Sequence, residues 1–538
     1  PCLKAGMKAE YRSRIRRGSG AHHAGIIITL RSLAVRTLVQ AHRWLGLVLG
    51  LVVMLWFASG IAMIYVGGMP ALEPQARLDR LPQLPLDRIS IAPAEAAQRM
   101  GEPDAIPVLT TALGRPAYRF ASGGTVFADD GSPLTPVDER AAAAVVRQFL
   151  GAEVPGLRFT GRIESPDQWT LSLRRAMQLL QFEAGDDAGT RIYVASRTAE
   201  VVLTTTRSQR VGAWVATIPH WLYFSSLRQN QPLWYRLVVT LATLACVLAA
   251  LGLALAFTQW RRTRPLDLKR AIPYRGGMRW HYISGALFGF FALTWAFSGL
   301  LSMEPFDWTN EPGLELPADA LTGGTPELER FDVAALAALP ALAAPRVVKE
   351  IALQRIHGAH YFALSTSEAA DKPRSAAGRQ SYGLATARPV PPVLVAADTV
   401  TRREGDFPVE AILQRLRSAL PAVPVEAHAL LTGYDYYYYS RDRRLPLPVL
   451  RVKLGDSGRT WLYVDPASSR LLASVHRHGR LERWLYKGLH SLDFRFWHAR
   501  RPLWDLVMIT LLLGGLATSS LGFWFGVRRL TTRQPSSR

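Results

Sequence analysis

Cysteine is nearly absent: Cys2 and Cys246 are the only two in 538 residues. Cys246 lies inside a long apolar run, so a disulfide framework is excluded whatever the compartment. A lipid-anchored Cys2 is not expected either, because no apolar stretch precedes it. The sequence contains no GxGxxG or Walker pattern, no HExxH helix and no Ser-His-Asp constellation, so nucleotide-domain and hydrolytic chemistry find no support. Acidic residues are scarce, 42 Asp and Glu against 64 Lys and Arg, which leaves a formal charge of +22. A basic balance can mark nucleic-acid binding. Here much of the excess sits beside apolar segments, where topology and anionic lipid account for it, and no nucleic-acid partner is expected.

What the chain has is apolar sequence, 49% of residues, unevenly placed. Four stretches, 45–66, 237–257, 283–302 and 506–527, are nearly free of charge. Each has about 20 residues, the length a helix needs to cross a hydrocarbon core. Flanking cations set the sidedness. Arg12, Arg14, Arg16, Arg17, Arg31 and Arg36 precede the first stretch; Arg261, Arg262, Arg264, Lys269, Arg270, Arg275 and Arg279 face a single Asp267 between the second and third; Arg528, Arg529 and Arg533 follow the fourth. By the positive-inside rule all three short segments are cytoplasmic, as are both termini, and the two long segments lie in the periplasm of a bacterial inner membrane. The organisation expected is a basic tail 1–40, span 41–66, outer domain 67–232, span 233–258, basic loop 259–279, span 280–302, outer domain 303–502, span 503–527 and tail 528–538.

The chain repeats itself. His42-Arg43-Trp44-Leu45-Gly46 enters LVLGLVVMLWFASG, and His281-Tyr282-Ile283-Ser284-Gly285 enters ALFGFFALTWAFSG, an offset of 239 that keeps His, two Gly, Trp and Ser-Gly in register. At an offset of 270, His220, Leu222, Phe224, Pro232-Leu233-Trp234, Thr240-Leu241 and Leu251-Gly252 match His490, Leu492, Phe494, Pro502-Leu503-Trp504, Thr510-Leu511 and Leu521-Gly522. Two parallel copies of a helix, outer domain, helix unit follow, and such repeats pack around an axis along the membrane normal, with sites at their interface.

The outer segments read as small α+β units, since strands cluster and helices do not alternate regularly with them. In the first, a Pro-rich linker precedes helical patterns at 92–99 and 137–150, with a short run PAYRFA between them and strand-like runs WTLSL, LLQFEA and TRIYVA after them. In the second, VVKEIALQRI, YFALST, LPVLRVKL and TWLYVDP read as strands and FPVEAILQRLRSAL as an amphipathic helix, with an Ala/Pro/Ser-rich excursion at 368–400.

Several of these residues carry a resemblance. Tyr463-Val464-Asp465-Pro466-Ala467-Ser468-Ser469-Arg470-Leu471-Leu472 looks like the end of a PepSY module, a strand, an aspartate turn and a short strand. With HRWLG at the first span, YDYYYYSRDRRLPLPVLRV before that ending, and LHSLDF and RPLWD before the last span, the chain resembles the PepSY-associated transmembrane helix family over most of 40–530. The likeness is specific in the spans and loose in the first outer domain, where Tyr193-Val194-Ala195 lacks the aspartate. It implies a membrane α-helical fold of four transmembrane helices with two periplasmic α+β PepSY-like domains. It also implies a candidate activity, because members include inner-membrane proteins that bind haem b through paired histidines and reduce ferric siderophores.

A haem in a helix bundle needs two neutral imidazoles from different helices and a flat slot between them. His42 and His281, equivalent residues of two repeats, satisfy the first need near the cytoplasmic face. Gly46 and Gly50, like Gly285 and Gly289, stand one and two turns on, roughly 40° and 80° around the helix from the histidine, and would clear space for a macrocycle. The alternative is that Gly-xxx-Gly packs helices and the histidines face headgroups. His220 and His490, each 12 residues before the Pro of PLW, form a second candidate pair, on segments that lie either in the span or along the membrane surface. Two haems, one near each face, would relay electrons across about 30 Å of apolar core.

Other candidates are weaker. His476-x-His478 and His357-x-x-His360 lack a carboxylate or cysteine set to complete a metal site, His498 has Arg228 as its repeat counterpart, and His22-His23 lies in the basic tail. The tyrosine run 436–439, with Tyr434 before it, reads as a strand edge packed on one face or as a stacking surface for a substrate. The leading expectation is a di-haem b-type cytochrome passing electrons from quinol or a separate cytoplasmic reductase to a periplasmic ferric chelate. The alternatives are a non-catalytic receptor or regulator whose PepSY-like domains bind a periplasmic protein or peptide, and a haem- or metal-handling partner of a transporter.

Overall fold

A computed structural model describes residues 2–531 apart from 152–153, 174–177, 262–266, 310–313, 315, 369–389 and 440–444, with side chains from residue 33 onward, those of 268 and 269 excepted. The side chains of Arg12 to Arg31, His22, His23 and Lys269, all of Arg262, Arg264 and Arg533, and most of the 368–400 excursion thus lie outside the described residues.

The chain divides into two compact units. The helical unit gathers 1–61, 235–305 and 485–538. Its span helices are Cys2–Met63, Gln231–Gln259, Gly276–Leu301 and Leu503–Thr531. The first begins well ahead of the apolar run and takes in the segment expected as a basic tail. The candidate spans within these helices are 31, 29, 26 and 29 residues long, each enough to cross a bilayer. They carry apolar side chains all round, with Val48 72% and Leu287 63% exposed. A belt of that kind has a favourable environment only in lipid, where helices satisfy their own backbone hydrogen bonds. Small residues let the helices close: a Cβ at Gly514 would collide with the Phe288 ring and one at Gly515 with Phe57.

The second, αβ unit gathers 62–234 and 306–484. Among the described residues, each long segment contributes three strands and then a helix followed by four strands. In the first segment these are β1 (Val108–Ala112), β2 (Arg115–Arg119), β3 (Thr125–Phe127), β4 (Arg158–Ile163), β5 (Leu179–Glu183), β6 (Arg191–Ala195) and β7 (Glu200–Thr205). In the second they are β8 (Val347–Ile356), β9 (Ala359–Ser367), β10 (Val393–Ala396), β11 (Val425–Leu431), β12 (Val449–Leu454), β13 (Trp461–Asp465) and β14 (Arg470–Val475). Strands β4–β7 and β11–β14 form two antiparallel four-stranded sheets in chain order.

Each of these sheets packs on the helix that precedes it. In helix Glu139–Leu150, Ala142, Val146, Phe149 and Leu150 recur on one face and bury against Leu180, Phe182, Ile192 and Val194. Asp138 caps its start by accepting from the Ala141 N–H at 2.8 Å, and Gly151, at φ 70°, ends it in the left-handed region. Helix Val409–Ala419 does the same in the second segment, with Ile412, Leu413 and Leu416 against Leu450, Val452, Leu462 and Val464. The β13–β14 hairpin has the expected aspartate turn, Asp465 accepting from Ala467 N–H and Ser468 Oγ. Its counterpart β6–β7 keeps the same register shift, at Tyr193/Val194 against Tyr463/Val464, without an aspartate.

The remaining strands depart from expectation. In place of two separate outer domains, β1–β3 and β8–β10 join in one six-stranded sheet, order β10-β9-β8-β1-β2-β3, sealed where Leu109 pairs with Ile351. One core draws on both segments, with Tyr118, Phe120 and Val126 among Ile351, Phe362, Leu364 and Val395. Beside that seam Arg77 grips Glu350 with two nitrogens, at 2.5 and 3.1 Å, and reaches Glu200 at 3.2 Å; Arg119 touches both carboxylates, and Thr110 donates to Glu350 at 2.9 Å. Two local readings also change. WTLSL is a turn running into 3-10 helix Leu171–Leu173, because Asp167 accepts from the N–H groups of Trp169 and Thr170. The tyrosine run is a turn as well, since Asp435 accepts from the N–H groups of Tyr437 and Tyr438.

Candidate functional site

The helical unit brings His42 and His281 together, with ring centroids 6.3 Å apart and planes inclined at 39°. Each ring reaches into the helix that closes its own half of the chain. His42 Nδ1 lies 3.1 Å from the carbonyl oxygen of Leu248, and His281 Nδ1 lies 3.1 Å from that of Thr518. A carbonyl only accepts, so in each ring the proton sits on Nδ1 and the Nε2 lone pair is left to bind.

Helical carbonyls are ordinarily shielded by the side chain one turn on. Four residues beyond Leu248 stands Gly252, and four beyond Thr518 stands Gly522. A Cβ on Gly252 would meet His42 Cε1 at 2.9 Å, and one on Gly522 would meet His281 Cε1 at the same distance. These two glycines are the seats of the imidazole rings. Sequence reasoning aligned Leu251-Gly252 with Leu521-Gly522 as repeat evidence and did not assign them to the site, although their recurrence was the available signal.

The four glycines assigned to a haem slot have another observed role, helix packing. A Cβ on Gly46 would lie 3.8 Å from Leu248 Cδ1, and one on Gly285 would lie 3.7 Å from Thr518 Cγ2. Both distances are ordinary van der Waals contact, so these two glycines border the turns whose carbonyls the histidines reach without being required there. Gly50 receives the Phe523 ring and Gly289 the side chain of Leu253.

Two imidazoles that share one metal atom through bonds of about 2 Å have centroids roughly 6 Å apart. The observed separation, the fixed tautomers and the origin in two different helices all fit a bis-histidine haem iron. Among the described residues no group of three or more His, Cys, Asp or Glu is placed to hold a metal ion, so a lone ion held by a full protein ligand set has no counterpart there.

The second pair lies on short helices outside the spans. His220 sits in Thr217–Trp221 of the αβ unit, ahead of Leu222 at φ 50°; His490 sits in Leu489–Ser491 of the helical unit, ahead of Leu492 at φ 46°. His490 Nδ1 meets Ser298 Oγ at 3.0 Å, and its ring lies 5.5 Å from that of Tyr486. Four of the other histidines have structural partners. His476 caps helix Arg477–Glu482 by accepting from Gly479 N–H, His357 Nε2 meets Ser469 Oγ at 2.8 Å, His360 accepts from Glu327 N–H, and His498 packs on Trp504.

Four helices long and apolar enough to span define a multi-pass membrane protein, associated with the bilayer through those spans. The chain belongs to the family described as the PepSY-associated TM region, whose model matches residues 39–384, from just ahead of His42 through the third span into the second long segment. No curated protein matches the chain.

Proposed function

We propose that the protein is a b-type cytochrome of a bacterial inner membrane that passes electrons outward to a periplasmic ferric chelate. The observation that carries this reading is the His42–His281 pair, 6.3 Å between centroids, each Nδ1 on a backbone carbonyl of another helix. In that role His42 and His281 hold haem iron through Nε2. The haem supplies one-electron chemistry. The chain supplies the rest: Leu248 and Thr518 fix tautomer and ring orientation, Gly252 and Gly522 leave room for the rings, and the apolar spans keep water away. Cations in the short segments support an orientation with both termini and the 259–279 loop inside. Without a dinucleotide motif in the sequence, the donor is quinol or a separate cytoplasmic reductase.

Replacing His42 or His281 by Ala removes about one haem per protein, read as the pyridine haemochrome of the purified chain. The same titre in both variants as in the parent would refute the ligand assignment. The second haem expected from the sequence is tested in the same way with His220→Ala and His490→Ala.

A further inference from the structure

The two four-stranded sheets are copies, and one cross-strand row has changed its chemistry. In the first copy Glu183 stands opposite Arg158 on β4 and Arg191 on β6 and pairs with both, at 2.6 and 3.1 Å. In the second copy, 270 residues on, the same register holds Lys453 in place of Glu183 and Trp461 in place of Arg191, with Ala427 on β11 opposite the lysine. An ion-paired ladder, in which a carboxylate meets both neighbouring cations, has become a lysine over an indole with no carboxylate in the row.

The surroundings add charge of the same sign. Lys453 Nζ lies 4.2 Å from the Trp461 ring centroid, and the guanidinium carbons of Arg480 and Arg451 lie 4.7 and 5.2 Å from it. Tyr437 meets the indole edge-on at 5.2 Å and accepts from Trp484 Nε1 at 3.3 Å. Asp435 is the carboxylate set into this cluster, and it is engaged by Arg451, by the Tyr463 hydroxyl and by two backbone N–H groups. Among the described residues no carboxylate pairs with Lys453, which is held only by the face of the ring. Trp461, Lys453 and Tyr437 are half-buried, and Ala427 and Ala429 on the adjoining edge strand do not cover them.

A cation held by a ring quadrupole gives up little when an anion arrives, and an indole flanked by cations suits a flat, negatively charged π-system. We propose that this Trp461 face of the second sheet binds an anionic ferric chelate whose iron is ligated by aromatic oxygens, of the catecholate type. The identity of the ligand as an iron complex rests on the electron-transfer reading above; the preference for an anionic aromatic rests on the cluster alone.

The test is equilibrium dialysis of the full detergent-solubilised protein against two probes: the ferric complex of 2,3-dihydroxybenzoate, anionic and aromatic, and the neutral ferric complex of acetohydroxamate. The double variant Lys453→Glu with Trp461→Arg installs the pair that the first copy already accommodates at the same register. Lys453→Gln removes only the charge. The catecholate complex is expected to bind at least about tenfold more tightly than the hydroxamate, and the double variant to lose about tenfold or more of that affinity, with haem content unchanged. Equal binding of the two probes, or undiminished catecholate binding in both variants, would overturn the proposal. Haem content is read separately, so a colourless protein that still discriminates between the probes refutes the cytochrome and leaves the binding face standing.

Discussion

At the scale of single residues, four atoms set the histidine pair: two Nδ1 donors and the two carbonyl oxygens that receive them. The helices could present those carbonyls only because Gly252 and Gly522 leave the turn above uncovered. Gly252→Ala and Gly522→Ala are therefore expected to displace a histidine ring while leaving the span helical. Haem retained per protein after detergent extraction should fall at least about twofold in each variant, with the helical circular dichroism unchanged. Retention equal to the parent would show that the rings do not depend on these seats. The histidines were legible in the sequence because two membrane segments repeated them in register. The seats, Gly252 and Gly522, recur in the second repeat, but only the folded chain shows which helix a histidine reaches.

At the scale of elements, period-2 and period-3.6 patterns located β5, β6, β8, β9, β12 and β13 and the helices Glu139–Leu150 and Val409–Ala419. They misread WTLSL and the tyrosine run, where one aspartate in each case offers its carboxylate to nearby backbone N–H groups and bends the chain. The join between β1 and β8 was not legible either, because a pairing of Leu109 with Ile351 leaves no local pattern. That seam carries a pH dependence. Burial alone would raise the Glu350 carboxyl, but the hydrogen bond and charge of Arg77, with Arg119 and Thr110 adding, outweigh it and hold the group below its usual value. A carboxyl depressed in the folded state stabilises above its unfolded value of about 4.3 and loses that contribution as pH falls through its folded value. Denaturant midpoints should therefore fall with acidification below about pH 4 in the parent, and less steeply in Glu350→Gln. At neutral pH the variant should be less stable by about 3 kcal/mol, the low end for removing one partner of a buried pair, because Glu200 still faces both arginines. A parent and variant with the same acid profile would contradict this reading.

At the scale of the whole molecule, four span helices accompany an αβ unit in which both long segments share a sheet. The in-register repeat in the sequence agrees with His42 and His281 lying side by side, each leaning on the helix that closes its own half of the chain. It also shows where the copies have parted, as in the Lys453–Trp461 row. Membership of the PepSY-associated TM region family agrees with this architecture and leaves the chemistry to the histidines. The most direct measurement is therefore the visible spectrum of the protein purified from haem-replete cells, before and after dithionite. The account predicts a reduced b-type α band that weakens when His42 or His281 is replaced by Ala. A colourless preparation, or a band of full intensity in both variants, would contradict it.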